Sequence, residues 1–175
     1  MKSTLVLKAI RFAACYHNGQ TRADGTTPYI SHPVRVMTII STVFGVNDPK
    51  ILATAVLHDV IEDTEANYDK ILKEFGVEVA DNVALLSKDM RLPKTTREKV
   101  FLDGLEGANP SVQICKLADM LDNLIDTDTI NQKKIDSIVN KAKSILKMLD
   151  AVAKSVPDPL TTAVKEVKIA LKNIE

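Results

Sequence analysis

Tryptophan is absent, and phenylalanine and tyrosine together make up only 4% of the chain. With so few rings, the core must come from the Leu, Ile, Val and Ala within the 45% of residues that are hydrophobic, which favours closely packed helices. Neither sign of charge is in excess, with 23 Lys plus Arg against 23 Asp plus Glu. That balance gives no general attraction to nucleic acid or to an anionic membrane, so an anionic ligand must be met by local charge. There are two cysteines, Cys15 and Cys115, without a CxxC spacing or a secretory context. They are expected as buried free thiols rather than a disulfide. Long hydrophobic runs are missing too: the N-terminal MKSTLVLKAIRFAAC is broken by Lys8 and Arg11 and has no small-residue cleavage site. It reads as the first helix of a cytoplasmic protein. Histidine is scarce, with His17, His32 and His58 the only three.

At 175 residues the chain fits one domain, residues 1–175, able to bury roughly 70% of its unfolded surface. Apolar spacing predicts a helix from a Ser3 cap to about His17, then a loop or small hairpin within residues 18–30, rich in Gly, Asx and Pro. Ser31 is the expected cap of a helix through Val43, with Pro33 in its first turn. Asp48-Pro49 opens the next helix, which carries His58 and Asp59 near its end. Two short helices follow, Tyr68 to Phe75 and Val77 to about Ser87, then a basic connector and a helix capped by Thr95 or Thr96. Val112 to Cys115 alternates like a strand, but Leu117, Met120, Leu121 and Leu124 have helical spacing and favour helix. Long apolar periodicity predicts a helix over 131–154, and Asp158-Pro159 opens a last one over 159–173. The fold class is all-α.

The stretch His58-Asp59-Val60-Ile61-Glu62-Asp63-Thr64 places two metal-ligand types side by side and two more carboxylates one helical turn later. Alone, His58-Asp59 reads as an ordinary helix end, and Glu62 and Asp63 as exposed acids, with Asp63 or Thr64 capping the next helix. At a distance lie Tyr29-Ile30-Ser31-His32-Pro33 and Lys116-Leu117-Ala118-Asp119. His, His-Asp and Asp together form a mixed nitrogen and oxygen set suited to one divalent first-row metal. Three acids crowded at a helix C-terminus oppose the macrodipole and one another, a conflict that a bound cation resolves. His17 continues the apolar stripe of its helix and is not assigned as a ligand.

With these blocks in hand, the chain resembles the HD-domain metal-dependent phosphohydrolases, and within them the hydrolase half of the RelA/SpoT homologue family. The marks, between residues 17 and 124, are His17-Asn18-Gly19-Gln20-Thr21-Arg22, Pro28 to Pro33, Leu57 to Thr64, Phe75-Gly76 and Lys116 to Asp119. No synthetase block follows them, so the likeness is to small stand-alone alarmone hydrolases. The resemblance implies one bound Mn²⁺ held by His32, His58, Asp59 and Asp119. It implies hydrolysis of the 3′-pyrophosphate of guanosine tetra- or pentaphosphate, giving GDP or GTP and pyrophosphate. Glu62 and Asp63 match the acidic pair that positions or deprotonates water, Asn123 an asparagine at the substrate site, and Arg22 an arginine against the nucleobase. Tyr29 in the same loop and Lys88 in the basic connector are further substrate candidates, with Arg91, Lys94 and Arg97 beside Lys88.

Several positions depart from that pattern. Ala23 stands where a lysine often follows the loop arginine, the Gly25-Thr26-Thr27-Pro28 loop is one residue longer, and Met120 and Asp122 replace an arginine and a histidine. The enzyme class is therefore carried further than the nucleobase. An adenosine alarmone, a 5′-nucleotide or deoxynucleoside triphosphate, and a non-catalytic nucleotide-binding module remain as alternatives. The partner is a small-molecule nucleotide, not nucleic acid or membrane. Oligomeric state is not encoded in these features.

Overall fold

The computed structural model describes residues 3–128, 130–153 and 158–174, with the side chains of 3 and 4 left aside. Its helices are α1 (Ser3–Tyr16), α2 (Ser31–Thr42), α3 (Pro49–Leu57), α4 (Val60–Asp63), α5 (Tyr68–Phe75), α6 (Val77–Leu86), α7 (Lys94–Glu106), α8 (Pro110–Ile125), α9 (Gln132–Ala153) and α10 (Leu160–Ile174). Among the described residues there is no strand, and the expected hairpin shrinks to a single antiparallel bridge between Thr21 and Pro28. No described helix is long and apolar enough to cross a membrane.

Most helix starts follow from local chemistry. The Asp48 carboxylate accepts from the amide of Lys50 at 2.8 Å, with Pro49 preset for the first turn. Asn67 and Asn109 do the same for α5 and α8. Gly76, at φ 86°, lets α5 stop and α6 begin at once. Two expected caps are corrected. Ser31 lies inside α2, because Ile30 before it is already helical and the carbonyls of Pro28 and Tyr29 take the amides of Ser31 and His32. α7 starts at Lys94 after Pro93, ahead of Thr95 and Thr96, and Pro93 O receives the amide of Arg97 at 2.9 Å. Ser3 begins α1 with its side chain, and so its expected cap, left aside, and the Lys154 end of the long helix lies outside the described residues.

Two hydrophobic clusters form the interior. In one, Val36 and Ile40 of α2 meet Leu117 and Leu124 of α8, Leu149 of α9 and Leu160 and Val167 of α10. In the other, Ala9 and Ala13 of α1 meet Val56 and Leu57 of α3, Ile71 of α5 and Val83 of α6. Each buried Leu or Ile contributes about 1.5–3 kcal/mol relative to exposure. α3 and α8 run through the middle: Ala53 to Leu57 are all buried, as is most of α8. Because α2, α3 and α8 pack on one another, His32, His58 and Asp119 are brought together where the clusters meet. Cys115 is buried, but Cys15 is exposed, contrary to expectation. α1 buries Ala9, Ala13 and then His17, a four-residue spacing that leaves Cys15 on the outward side.

Candidate metal centre and active site

α3 ends at Leu57, His58 follows with helical backbone, and Asp59 precedes the short α4. The amide of Asp63 still bonds the carbonyl of Asp59 at 2.9 Å, so the turn persists and the acids stay close. His58 is buried, and its Nδ1–H donates to the Ala55 carbonyl at 2.7 Å, which leaves a lone pair on Nε2. That Nε2 lies 2.9 Å from Asp59 Oδ2 yet makes no hydrogen bond. A lone pair facing a carboxylate inside a protein is repulsive unless a cation stands between them.

His32, from the first turn of α2, completes the group. Its Nδ1 donates to Asp122 Oδ2 at 2.7 Å, and its Nε2 lies 3.6 Å from Asp59 Oδ2 and 3.2 Å from Asp119 Oδ1. Ligand atoms of His32, His58 and Asp59 all fall within 4.8 Å of one another, so these three side chains can hold one ion. Asp119 Oδ1 stands 3.9 Å from His58 Nε2, while its Oδ2 receives Lys116 Nζ at 2.6 Å. Burial opposes charge on Asp119, but Lys116 and the histidines outweigh it and hold the carboxyl well below the usual range. Burial likewise pulls His32 down, yet its bonds to Asp119 and Asp122 push it up to about 9. The cluster is organised around positive charge.

Tyr29 links the carboxylates. Its hydroxyl donates to Asp59 Oδ2 at 2.6 Å and lies 3.3 Å from Asp63 Oδ2, and its ring packs against His17 at 4.8 Å. Burial and the neighbouring Asp59 and Glu62 raise the pKa of Asp63, which strengthens it as a proton acceptor. Glu62 Oε2 accepts from the Lys88 amide at 2.9 Å, and Lys88 Nζ stands 4.0 Å from Glu62 Oε1. Asn67, not Asp63 or Thr64, caps the next helix, so the Asp63 carboxylate is not used in capping. His17 is buried: Nδ1 meets Gln20 Oε1 at 2.7 Å, Gln20 Nε2 donates to the Asp63 carbonyl at 2.7 Å, and His17 Nε2 has no partner.

A cavity of about 160 Å³ opens on this cluster, lined by Arg22, Tyr29, His32, His58, Asp59, Glu62, Lys88, Lys116, Asp119, Asn123 and Lys141 among others. Asp63 instead faces an adjoining open cleft, with Glu62 bordering both. A larger cavity of about 560 Å³ shares Arg22, Tyr29 and Asn123 with the first and adds Ala23, Arg35, Asp126, Lys134 and Ile138. Arg22 is held by Asp126 Oδ2 at 3.0 Å and Asn123 Oδ1 at 3.2 Å, and Asn123 Nδ2 reaches Asp119 Oδ1 at 2.6 Å. Of the basic connector only Lys88 reaches the small cavity, and Arg91 turns to Asp89 instead.

Asp122 and Arg35 were missed in the sequence. Asp122 is 0% exposed and bonds both His32 and Arg35, the latter at 2.6 Å. The sequence marked Asp122 only as a departure from the family pattern, although its place at i+3 from Asp119 puts it on the same side of that helix. Lys116 had a comparable signal at i−3, whereas Lys141 had none.

The HD-domain family profile matches residues 9–156. The chain belongs to the HD-domain family. Within that family, it is 38% identical over 125 residues to the guanosine-3′,5′-bis(diphosphate) 3′-pyrophosphohydrolase MESH1 of Xenopus tropicalis, covering 71% of this chain and 70% of that protein. The human protein of the same name is 38% identical over 122 residues, covering 69% and 68%. The solved structure of a metazoan ortholog of SpoT, described as hydrolysing ppGpp, superposes with a TM-score of 0.79 at 29% identity, covering 97% of this HD-domain chain and 93% of that one. The resemblance to RelA/SpoT homologues and the all-helical HD fold thus hold along the chain.

Proposed function

We propose that this HD-domain protein is a manganese-dependent 3′-pyrophosphohydrolase of guanosine tetra- and pentaphosphate, acting as one domain among cytoplasmic nucleotides. One observation carries the reading: the unpartnered Nε2 of His58, facing Asp59 beside His32, opens onto a cavity rimmed by lysines in a chain 38% identical to named pyrophosphohydrolases. In this reading His32, His58, Asp59 and Asp119 are the metal ligands. A divalent ion there would supply Lewis acidity toward phosphoryl oxygens and make a water easier to deprotonate.

The protein's own groups do the rest. Glu62 and Asp63 orient the attacking water and take its proton, and the raised pKa of Asp63 strengthens it for that step. Water oxygen adds to the phosphorus bonded to ribose O3′, the bond between them breaks, O3′ takes up a proton to become the 3′-hydroxyl, and pyrophosphate is released. Tyr29, bonded to Asp59 and near Asp63, fixes the spacing between the two. Lys88 faces the phosphates, and Arg22 with Asn123, which line both cavities, meets the nucleoside. A different nucleobase is the second reading. It is favoured by Ala23, which lines the larger cavity where relatives of the RelA/SpoT type often carry lysine.

The test incubates metal-free protein with guanosine tetraphosphate, with and without Mn²⁺, and separates the products by chromatography, with Glu62→Gln/Asp63→Asn alongside. GDP and pyrophosphate should form only with metal, and the double variant should lose roughly 10²–10⁴-fold in rate. Turnover absent from metal-loaded protein would overturn the substrate assignment, and equal turnover with another divalent ion would overturn the choice of manganese.

A further inference from the structure

α9 contributes no motif, yet its Lys141 lines the same small cavity as His32, His58, Asp59 and Asp119. Lys134 and Ile138, at i−7 and i−3, line the larger cavity. By the helical period these three share one side of α9, so a single helix walls both chambers.

Charge in the small cavity is unbalanced. Arg22, Lys88, Lys116 and Lys141 stand against Asp59, Glu62 and Asp119 before any metal is added. Lys116 already holds Asp119 and Arg22 holds Asp126, while among the described residues Lys141 is paired with no carboxylate. Lys88 and Lys116 both lie over the Phe101 ring, at 5.1 and 5.4 Å from its centroid, so this ring positions both side chains in the cavity lining. Desolvation of the ammonium group at the cavity wall, then Lys116 and Lys88, bring the Lys141 pKa down to about 8, although the residue as a whole is exposed. Converging ammonium groups beside a divalent-ion site fit a multiply charged phosphoanion.

We propose that Lys141, together with Lys88 and Lys116, forms a cradle for the scissile diphosphate, which makes α9 part of the active site. Assigning that diphosphate to the 3′ position rests on the pyrophosphohydrolase reading. The same chemistry could come from the 5′-phosphates, and the two sources are separable.

Inorganic pyrophosphate and GDP are titrated calorimetrically into the metal-loaded full chain, as wild type, Lys141→Ala and Lys141→Arg. Lys141→Ala should weaken pyrophosphate by about tenfold, the size of one charge-assisted contact. It should leave GDP unchanged, and Lys141→Arg should restore most of the loss. Lys141 is an exposed helix residue, so thermal unfolding should match wild type in both variants. Weakened GDP with unchanged pyrophosphate would move the cradle to the 5′-phosphates and overturn the assignment, as would unchanged affinity for both or no pyrophosphate binding by wild type. These titrations need no turnover. If the chain fails to cleave guanosine tetraphosphate while Lys141→Ala still loses pyrophosphate, the cradle stands and the substrate reading falls.

Discussion

Nδ1 of His32 lies 2.7 Å from Oδ2 of Asp122, a carboxylate with no exposed surface. The other oxygen of Asp122 accepts from Arg35 Nε at 2.6 Å, and a second nitrogen of Arg35 stands 3.6 Å from Asp126 Oδ1. Arg35 therefore fixes the carboxylate that fixes the imidazole. With Nδ1 donating to Asp122, His32 Nε2 is turned toward Asp59 and Asp119, where a bound metal would take the place of its proton.

Asp122 should therefore govern metal affinity. Asp122→Ala removes the orienting acceptor and leaves Arg35 without its buried partner. Divalent-metal affinity should fall roughly 10–100-fold by calorimetry, the usual effect of losing a group that orients a ligand. Arg35→Ala should cost less, because Arg35 is half-exposed and Asp122 keeps its bond to His32. Wild-type affinity in Asp122→Ala would show that His32 needs no orientation from α8.

Metal should also stabilise the fold. His58, Asp59 and His32 converge in the native state alone, so an ion that binds there favours that state. At 100 times its dissociation constant a ligand adds about 2.7 kcal/mol. Scanning calorimetry should show a midpoint several degrees higher with Mn²⁺ than with chelator, and His58→Ala should abolish the difference. A midpoint indifferent to metal in wild type would argue that the cluster is stabilised by protons alone.

How much of this was readable in the sequence follows the range of the interactions. Helices whose boundaries are set locally were legible: Asp48-Pro49 and Asn109-Pro110 mark starts, Gly76 an end, and Ile135 to Leu149 a periodic face. His32, His58, Asp59 and Asp119 could be singled out as candidates because each sits in a compact block, and the fold brings their side chains together. Asp122 was not singled out, since a carboxylate near Asn123 and Asp126 reads as a solvated face. The packing of helices around α8, with His32 and Arg35 of α2 on the two Asp122 oxygens, buries it. Lys141 is a harder case: nothing near it in sequence marks its neighbours, and the fold alone sets α9 against the cavity. Cys15 failed for the opposite reason, as an apolar run around a helix says little about which side faces out.

Arg22 should act through geometry as well as charge. Its guanidinium makes separate bonds to Asp126 and Asn123 and lies 5.8 Å from the Tyr29 ring centroid. Arg22→Lys keeps the charge but cannot reproduce that fork. Steady-state kinetics should show KM for the nucleotide rising about tenfold, the size of a lost charged hydrogen bond, with kcat nearly unchanged. A fall in kcat at constant KM would place Arg22 at the reacting phosphate instead.

The cradle also has a pH signature. Lys141, with its pKa lowered to about 8, is an ammonium below that pH and progressively neutral above it. The groups facing it are Lys88 before α7 and Lys116 and Asp119 on α8, with Arg22 and Glu62 in the same cavity. A bound anion raises the Lys141 pKa, so complex formation takes up a proton once the free protein has lost it. Pyrophosphate affinity should thus be steady near pH 7 and fall up to about tenfold by roughly pH 9.5 in wild type. Lys141→Arg carries a guanidinium that stays charged throughout, and its profile should be flatter over the same interval. Calorimetric titrations at matched ionic strength give both curves. Parallel curves would mean that the fall comes from another group in the cavity, and that Lys141 does not gate anion binding through its own proton.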